Sequence, residues 1–542
     1  MNIYRKILMT VGVAATTLIS SCDKKFDEIN TNPNDPTEVS TDGLMTQTQR
    51  NIAYTFGNGW YGLRLKGIMC QHWAQPIYSD EDNYNFSSRA STIYVYFNYA
   101  YLYSQQLQEI IDLCEANPLS MSVYGDADAQ IASAKILQCM MMLQVVETFG
   151  DVPYSQANNI LEYPTPAYDD QESIYKDIIE KLKTYAADLE GCGDAWVAGD
   201  ILLDGDSEKW MRFANSLRLR TAMRLSNFDP TYSATEAAAA IASGVMESND
   251  DNAVFEFIGV GSPGQHPTYS GQQTRIDYIM SAQFVDLLKG YDNDLIGFKN
   301  PFSGIVDPRL SIFALSPNQI AAGVDPMSVL GMPYGVDAGN ANTVWVDVKS
   351  NTDNVIIYNF KTGSLTENDI PRPMQADFIT TYFDYANVAF LDSELSGYDA
   401  AKFEAGMTAS MEMWEVDADS AAEYIAKVMA LFNAADTEMK KEILFTQKYI
   451  HNYGHCEYEA YQEVVRSGYP KSILVGGDAA AVADGETYYF EPYQGEKVFI
   501  QRFPYALTEY NYNGASVADA VANMGGSDRY DVPLIYSILY KK

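Results

Sequence analysis

Apolar residues recur at three- to five-residue steps through Ile131, Ile136, Met140, Leu143 and Val146, the stripe of an amphipathic helix. Gly150 suits the left-handed stop of that helix, and Pro153 prevents it from resuming. A second helix is predicted from Asp169-Asp170-Gln171-Glu172, with Asp169 as its cap and Glu172 reaching back. Ile174, Ile178, Leu182 and Tyr185 form its apolar face. A third runs from Trp210 to Arg224, and an Ala-rich run at 234–242 follows it. Earlier, residues 39–64 suit a helix and loop, and Tyr99, Leu102, Tyr103, Leu107, Ile110 and Ile111 mark another over 94–115. Later helices are predicted at 374–395, 400–414, 420–433, 437–452 and 457–467, with Ser420 and Glu423 as a capping box for the third of these. Between 250 and 370 the helical period fades, Gly, Pro, Asn and Asp rise, and short β-like runs appear at Thr343–Val348 and Val355–Tyr358. Residues 484–542 are irregular and aromatic-rich. The pattern predicts a mostly α protein: helical pairs over about 39–245 and 374–470, carrying a loop and short-strand excursion over about 250–370. No clean 34-residue repeat is present.

The chain has 542 residues and 47% hydrophobic content, enough for a sizeable core. Its formal charge of −36 argues against a nucleic-acid partner, which requires a basic face, and against electrostatic docking on anionic lipid. Tyrosine is abundant, with 40 residues beside 23 Phe and 6 Trp. Its apolar face and polar tip suit wet recognition of amphipathic ligands, although most such rings pack in cores or rims. Of the six cysteines, Cys22 stands apart; the other five show no CxxC spacing and are expected as buried free thiols.

Residues 1–21 read as a signal peptide, with Arg5 and Lys6 before the apolar run Ile7–Ile19. The run ends in Leu18-Ile19-Ser20-Ser21-Cys22, which resembles a bacterial lipobox. Cleavage there would expose Cys22 for lipidation and hold the protein on a membrane without a spanning helix. Residues 22–38 then read as a tether rich in turn formers. The remainder, 39–542, is expected to be one domain. No later stretch reads as long and apolar enough to span a membrane.

Catalytic signatures are missing: there is no P-loop, HExxH, strand-borne GxGxxG or GxSxG. His451 and His455, spaced i and i+4 beside Cys456 and Glu457, resemble half of a zinc site, but Gly454 lies between them and a helix terminus is the expected role. Asp204-Gly205-Asp206 and Asp292-Asn293-Asp294 are the places where structural calcium would sit. Neither completes an EF-hand, so turn and cap roles are expected and no cofactor is assigned. Arg218, Arg220 and Arg224 form the densest basic cluster in an acidic chain, and internal ion pairs are expected of them. With 72 acids, a carboxylate pair suited to glycoside hydrolysis carries no weight by itself.

One ordered series of motifs runs through the mature chain. It comprises Phe149-Gly150-Asp151-Val152-Pro153-Tyr154, Tyr163-Pro164, Tyr168-Asp169 leading into Ile174-Tyr175, and Trp210 with Asn215-Ser216-Leu217-Arg218-Leu219-Arg220. It continues through Asp307-Pro308-Arg309-Leu310, Thr446-Gln447-Lys448-Tyr449, Arg466-Ser467-Gly468-Tyr469-Pro470, and Arg502-Phe503-Pro504-Tyr505 with Glu509 and Asn513. The series resembles the SusD/RagB family of nutrient-binding outer-membrane lipoproteins. That resemblance implies a tetratricopeptide-like helical scaffold, lipid anchoring at the cell surface through Cys22, and a SusC-like TonB-dependent transporter as partner. It implies binding of a nutrient, an oligosaccharide above all, without bond cleavage. A peptide ligand of the RagB type, a surface glycoside hydrolase and a pure helical adaptor are the alternatives. The family's ligand face draws on early loops and the central excursion. Trp60, Tyr61, Trp73, Tyr78, Tyr84, Tyr334 and Trp345 are accordingly the expected rings, with Gln71, Asp82 and Asn83 as polar partners.

Overall fold

The computed structural model describes residues 39–57, 62–76, 78–261, 264–272, 277, 279–337, 355–356, 366–529, 532 and 534–536. The expectations for Cys22, Trp60, Tyr61, Trp345 and the Thr343–Val348 run lie outside the described residues.

The fold is mostly helical, as the periodicity predicts. The first half supplies α1 (Thr41–Gly57), α2 (Ala90–Ala116), α3 (Ala127–Phe149), α4 (Gln171–Asp188), α5 (Ser207–Arg224) and α6 (Pro230–Ala242). The second half supplies α7 (Tyr385–Leu395), α8 (Ala400–Met413), α9 (Ala418–Ala434), α10 (Thr437–His451) and α11 (Glu457–Ser467). Helices adjacent in sequence pack as pairs, α2 on α3, α4 on α5 and α7 on α8.

The central member is α3. It is apolar around most of its circumference, and by length and composition it could cross a membrane, contrary to the expectation that no later stretch would qualify. In the fold, 83% of its most apolar window is buried, as befits the core helix of a globular body. Gly150 ends it at φ 88°, and the chain turns into a small antiparallel ladder, β2 (Val152–Pro153) with β3 (Tyr168–Asp169).

Capping decides where several helices begin. Asp170, one residue later than expected, accepts from Ser173 N at the start of α4, because Asp169 is taken by the ladder and by Tyr154 N and Ser155 N. Likewise Asp417 caps α9 by accepting from Ser420 N, and Glu423 pairs with Lys427 one turn on; the expected Ser420–Glu423 box is not formed. The helix expected over 374–395 begins only at Tyr385, behind the Asp384 cap. The β-branched run before it becomes β6 (Ile379–Phe383), paired antiparallel with β4 (Ala253–Glu256).

The central stretch carries short helices and two-residue strands, among them β5 (Ile279–Met280), which pairs with β1 (Trp73–Ala74). Val355–Ile356, part of an expected strand, pairs with Val329–Leu330. The C-terminal part holds the hairpin β7 (Ala479–Ala483) and β8 (Glu486–Tyr489), then the helices Leu507–Tyr512 and α12 (Gly514–Asn523).

Arg218, Arg220 and Arg224 of α5 are internal, as expected. Arg218 pairs with Glu236 at 2.6 Å, and Arg220 forks onto Glu147 of α3 at 3.0 and 2.7 Å. Both Arg220 and Arg224 reach Glu459 of α11 at 2.7 Å, and Arg224 also pairs with Glu463. Lys448 lies 3.1 Å from Glu459 and 3.3 Å from Glu463, while Arg466 forks onto Glu394 at 2.8 and 2.7 Å. This buried network ties α3, α5, α7, α10 and α11 into one body. Burial pushes the Lys448 amine down to about 7. Burial also opposes the charge on Glu459, yet Arg224, Arg220 and Lys448 hold its carboxyl well below the usual range.

Candidate functional site

The early loop is built on β1 and turns sharply at Gln71 and Tyr84, whose φ values are 65° and 58°. Gln71 is buried: its amide donates to Leu474 O at 2.8 Å and accepts from Leu474 N at 2.9 Å. Trp73 is buried too, and its Nε1–H donates to Glu457 Oε1 at 2.6 Å. Asp82 accepts from Gln75 N at 2.9 Å, and burial raises its carboxyl to about 8. Asn83 is half-buried and uses its main-chain carbonyl to accept from Tyr493 N at 2.7 Å.

Tyr84 and Tyr334 do converge, but on Phe490, each edge-on at 5.3 Å and each fully buried. A ring buried on both faces has no face left for a sugar, so Trp73, Tyr84 and Tyr334 act as packing in this structure. Of the expected rings among the described residues, Tyr78 alone is exposed, at 49%. The described tryptophans Trp73, Trp196, Trp210 and Trp414 are all buried, so open aromatic faces on the described surface come from tyrosine and phenylalanine.

The described residues line at least two clefts that are open to solvent. The larger, of about 850 Å³, lies between the β4–β6 ladder and the end of α8. Arg372 pairs with Asp377 there at 2.5 Å, and its rings Phe257, Phe378 and Trp414 are buried. The smaller, of about 240 Å³, is walled on one side by Asn85 to Ser87 at the end of the early loop. The other wall comes from the C-terminal part, including Tyr493, Gln494, Tyr510, Asp528 and Arg529. Tyr493 is 64% exposed and Tyr510 42%. The Tyr510 hydroxyl donates to Asp528 Oδ2 at 2.6 Å, and Asp528 is anchored by Arg502 at 2.8 Å. Arg529 is held by Glu496 at 2.6 Å. The Asn85 amide donates to Asp80 at 3.3 Å, and its carbonyl accepts from Ser87 Oγ at 2.5 Å. Open rings beside oriented amide and carboxylate groups can take the CH face of a pyranose on tyrosine and its hydroxyls on the polar rim.

Tyr493 and Tyr510, the open rings of the smaller cleft, are not among the expected site residues. The aromatic enrichment of 484–542 was their only signal, and it does not say which rings face outward.

The other expected sites resolve as structure. His451 bonds Ser410 Oγ at 3.0 Å and Asp384 Oδ1 at 3.1 Å, and His455 bonds Thr381 Oγ1 at 2.9 Å. Burial pushes His455 down to about 3. Asp206 caps α5, and Asp292 and Asp294 share Lys299 at 3.0 and 3.1 Å.

The profile of a SusD-like family, described as starch-binding and associating with the outer membrane, matches residues 33–488. The chain belongs to that SusD-like family. Similar solved structures include a chitin-binding SusD homologue from Flavobacterium johnsoniae, at 22% identity and TM-score 0.66, covering 92% of this chain and 98% of that one. A SusD homologue from Parabacteroides distasonis matches at 21% identity and TM-score 0.67, with 92% and 98% coverage. One from Bacteroides fragilis matches at 20% identity and TM-score 0.67, with 92% and 99% coverage. At these identities the solved structures establish the SusD-like fold. No curated protein sequence matches the chain.

Proposed function

We propose that this SusD-like protein is a non-catalytic lipoprotein, anchored through Cys22 at the outer surface of the outer membrane, that captures an oligosaccharide and delivers it to a SusC-like TonB-dependent transporter. The observation that carries the saccharide reading is the small cleft, where Tyr493 and Tyr510 present open faces beside Asn85, Gln494 and Asp528. The family's starch-binding description and the chitin-binding relative support a sugar ligand. A binding role without turnover is supported by the state of Asp528, the carboxylate among the described residues that line the cleft, which is committed to Arg502 and Tyr510. Anchoring and delivery rest on the lipobox-like Leu18–Cys22 segment and on the family resemblance.

Calorimetric titration with malto- and chito-oligosaccharides tests the binding step. Saturable binding lost in Tyr493→Ala, with no reducing ends released, is expected. Binding only of peptides, or sugar binding indifferent to both tyrosines, would overturn it. Co-purification of a large β-barrel protein from the native outer membrane tests the partner.

A further inference from the structure

We propose that Cys70, His72 and Glu457 form a buried site for a zinc-type divalent ion, a site independent of the saccharide cleft. The three residues come from the turn before β1 and from the first turn of α11. Cys70 Sγ lies 3.4 Å from Glu457 Oε2, and His72 Nδ1 lies 2.5 Å from the same oxygen. The three ligating atoms are within 4.8 Å of one another, and all three residues are buried.

What lies behind these atoms fixes their orientation. His72 Nε2 is 3.1 Å from the Tyr449 carbonyl, which can only accept, so Nε2 carries a proton and Nδ1 faces Glu457. The other carboxylate oxygen of Glu457 accepts from Trp73 Nε1–H at 2.6 Å and from Gly454 N–H at 2.9 Å. A carbonyl behind the imidazole and donors behind the carboxylate are the outer supports that orient metal ligands. With Nε2–H committed, Nδ1 and Oε2 would meet as two acceptors. Together with Cys70 Sγ they converge on one point, the arrangement through which a bound cation would be held.

A sulfur, nitrogen and oxygen set is the donor chemistry of zinc rather than of calcium or magnesium. Charge balances as well. Loading would release the thiol proton of Cys70 to solvent, so that the thiolate and the Glu457 carboxylate together match the charge of the dication. Tetrahedral bonding sets neighbouring nitrogen and oxygen ligands roughly 3.3 Å apart, so Glu457 Oε2 would draw back by less than about 1 Å. The ion would fasten the base of the early loop to α11.

The test uses the full mature chain, reduced, stripped with a chelator and titrated with Co2+. One equivalent should bind with a thiolate-to-cobalt charge-transfer band in the near ultraviolet, and Zn2+ should bleach it. Cys70→Ser should abolish the band and weaken uptake at least about tenfold while retaining the helical circular dichroism. His72→Gln provides the same reading should Cys70→Ser not fold. Zn2+ should raise the melting temperature of the native chain and not of the variant. No band in the native protein, or a band unchanged in the variants, overturns the proposal.

Discussion

Replacing Glu459 with Gln tests whether the buried ionic network is what fastens the two helical halves. Glu459 is 1% exposed, and its carboxylate meets Arg220 and Arg224 at 2.7 Å and Lys448 at 3.1 Å. Glutamine keeps the shape but removes the charge, leaving three cations short of a counterion. Breaking a buried pair from one side costs roughly 3–5 kcal/mol. Lys448 can relieve part of this by releasing its proton, since burial has already brought it to about 7. Arg220 and Arg224 cannot, so the expected loss sits near the lower end, about 3 kcal/mol. The assay is urea unfolding at neutral pH, read by tryptophan fluorescence, with Glu423→Gln as control. Glu423 and Lys427 form an exposed pair one turn apart, whose removal should cost at most about 0.5 kcal/mol. Acidity supplies a second reading. The carboxyl of Glu459 is depressed in the fold, so its contribution is complete above the unfolded value near 4.5 and drains away as pH falls towards the folded one. The gap between native and variant should therefore narrow in acid. A loss no larger than that of the control, or a gap that widens in acid, would refute the reasoning.

Tyr493→Ala should weaken oligosaccharide binding by about 5- to 30-fold, the range for truncating an aromatic anchor, with unfolding unchanged; calorimetry beside a melt checks both. Asp82→Asn should stabilise the protein at pH 8 and flatten its pH dependence. The native acid, raised to about 8 by burial, holds a proton that the unfolded chain sheds near 4, so native stability falls as pH climbs between those values; urea midpoints across that window decide it. Gly205→Ala should destabilise by about 1–3 kcal/mol, because φ is 78° there and a Cβ would stand 1.9 Å from the Trp196 carbonyl; a thermal melt is sufficient.

The scaffold was legible because its helices carry long periodic stripes and their ends carry carboxylate caps. What shifted were the caps themselves: a sequence with Asp169 and Asp170 adjacent does not say which one the β2–β3 ladder will claim. Residues 379–383 illustrate tertiary override, since Ile-Thr-Thr-Tyr-Phe joins a helix or a strand according to whether a partner such as β4 is at hand. The central helix was recognised by its stripe, but its full apolar girth, which seats it at the middle of the body, was not. The candidate binding surface was least legible. Ring count cannot separate Tyr84, clamped on Phe490, from Tyr493, open to solvent, because the difference lies in contacts from remote segments. His72 and Glu457 are 385 positions apart and could not be paired by spacing, whereas His451 and His455, which spacing did suggest, turn to Asp384 and Thr381.

The main-chain hydrogen bond from Tyr493 to Asn83 has a consequence for biogenesis. The candidate cleft is a clasp whose two jaws are made at different times of synthesis, the Asn85–Ser87 wall early and the wall from Tyr493 onwards only after the helical pairs have emerged. A chain halted between these two segments would carry its helical pairs and lack one wall of the cleft. A closed cleft thus doubles as a certificate that a late segment has folded back onto the early loop.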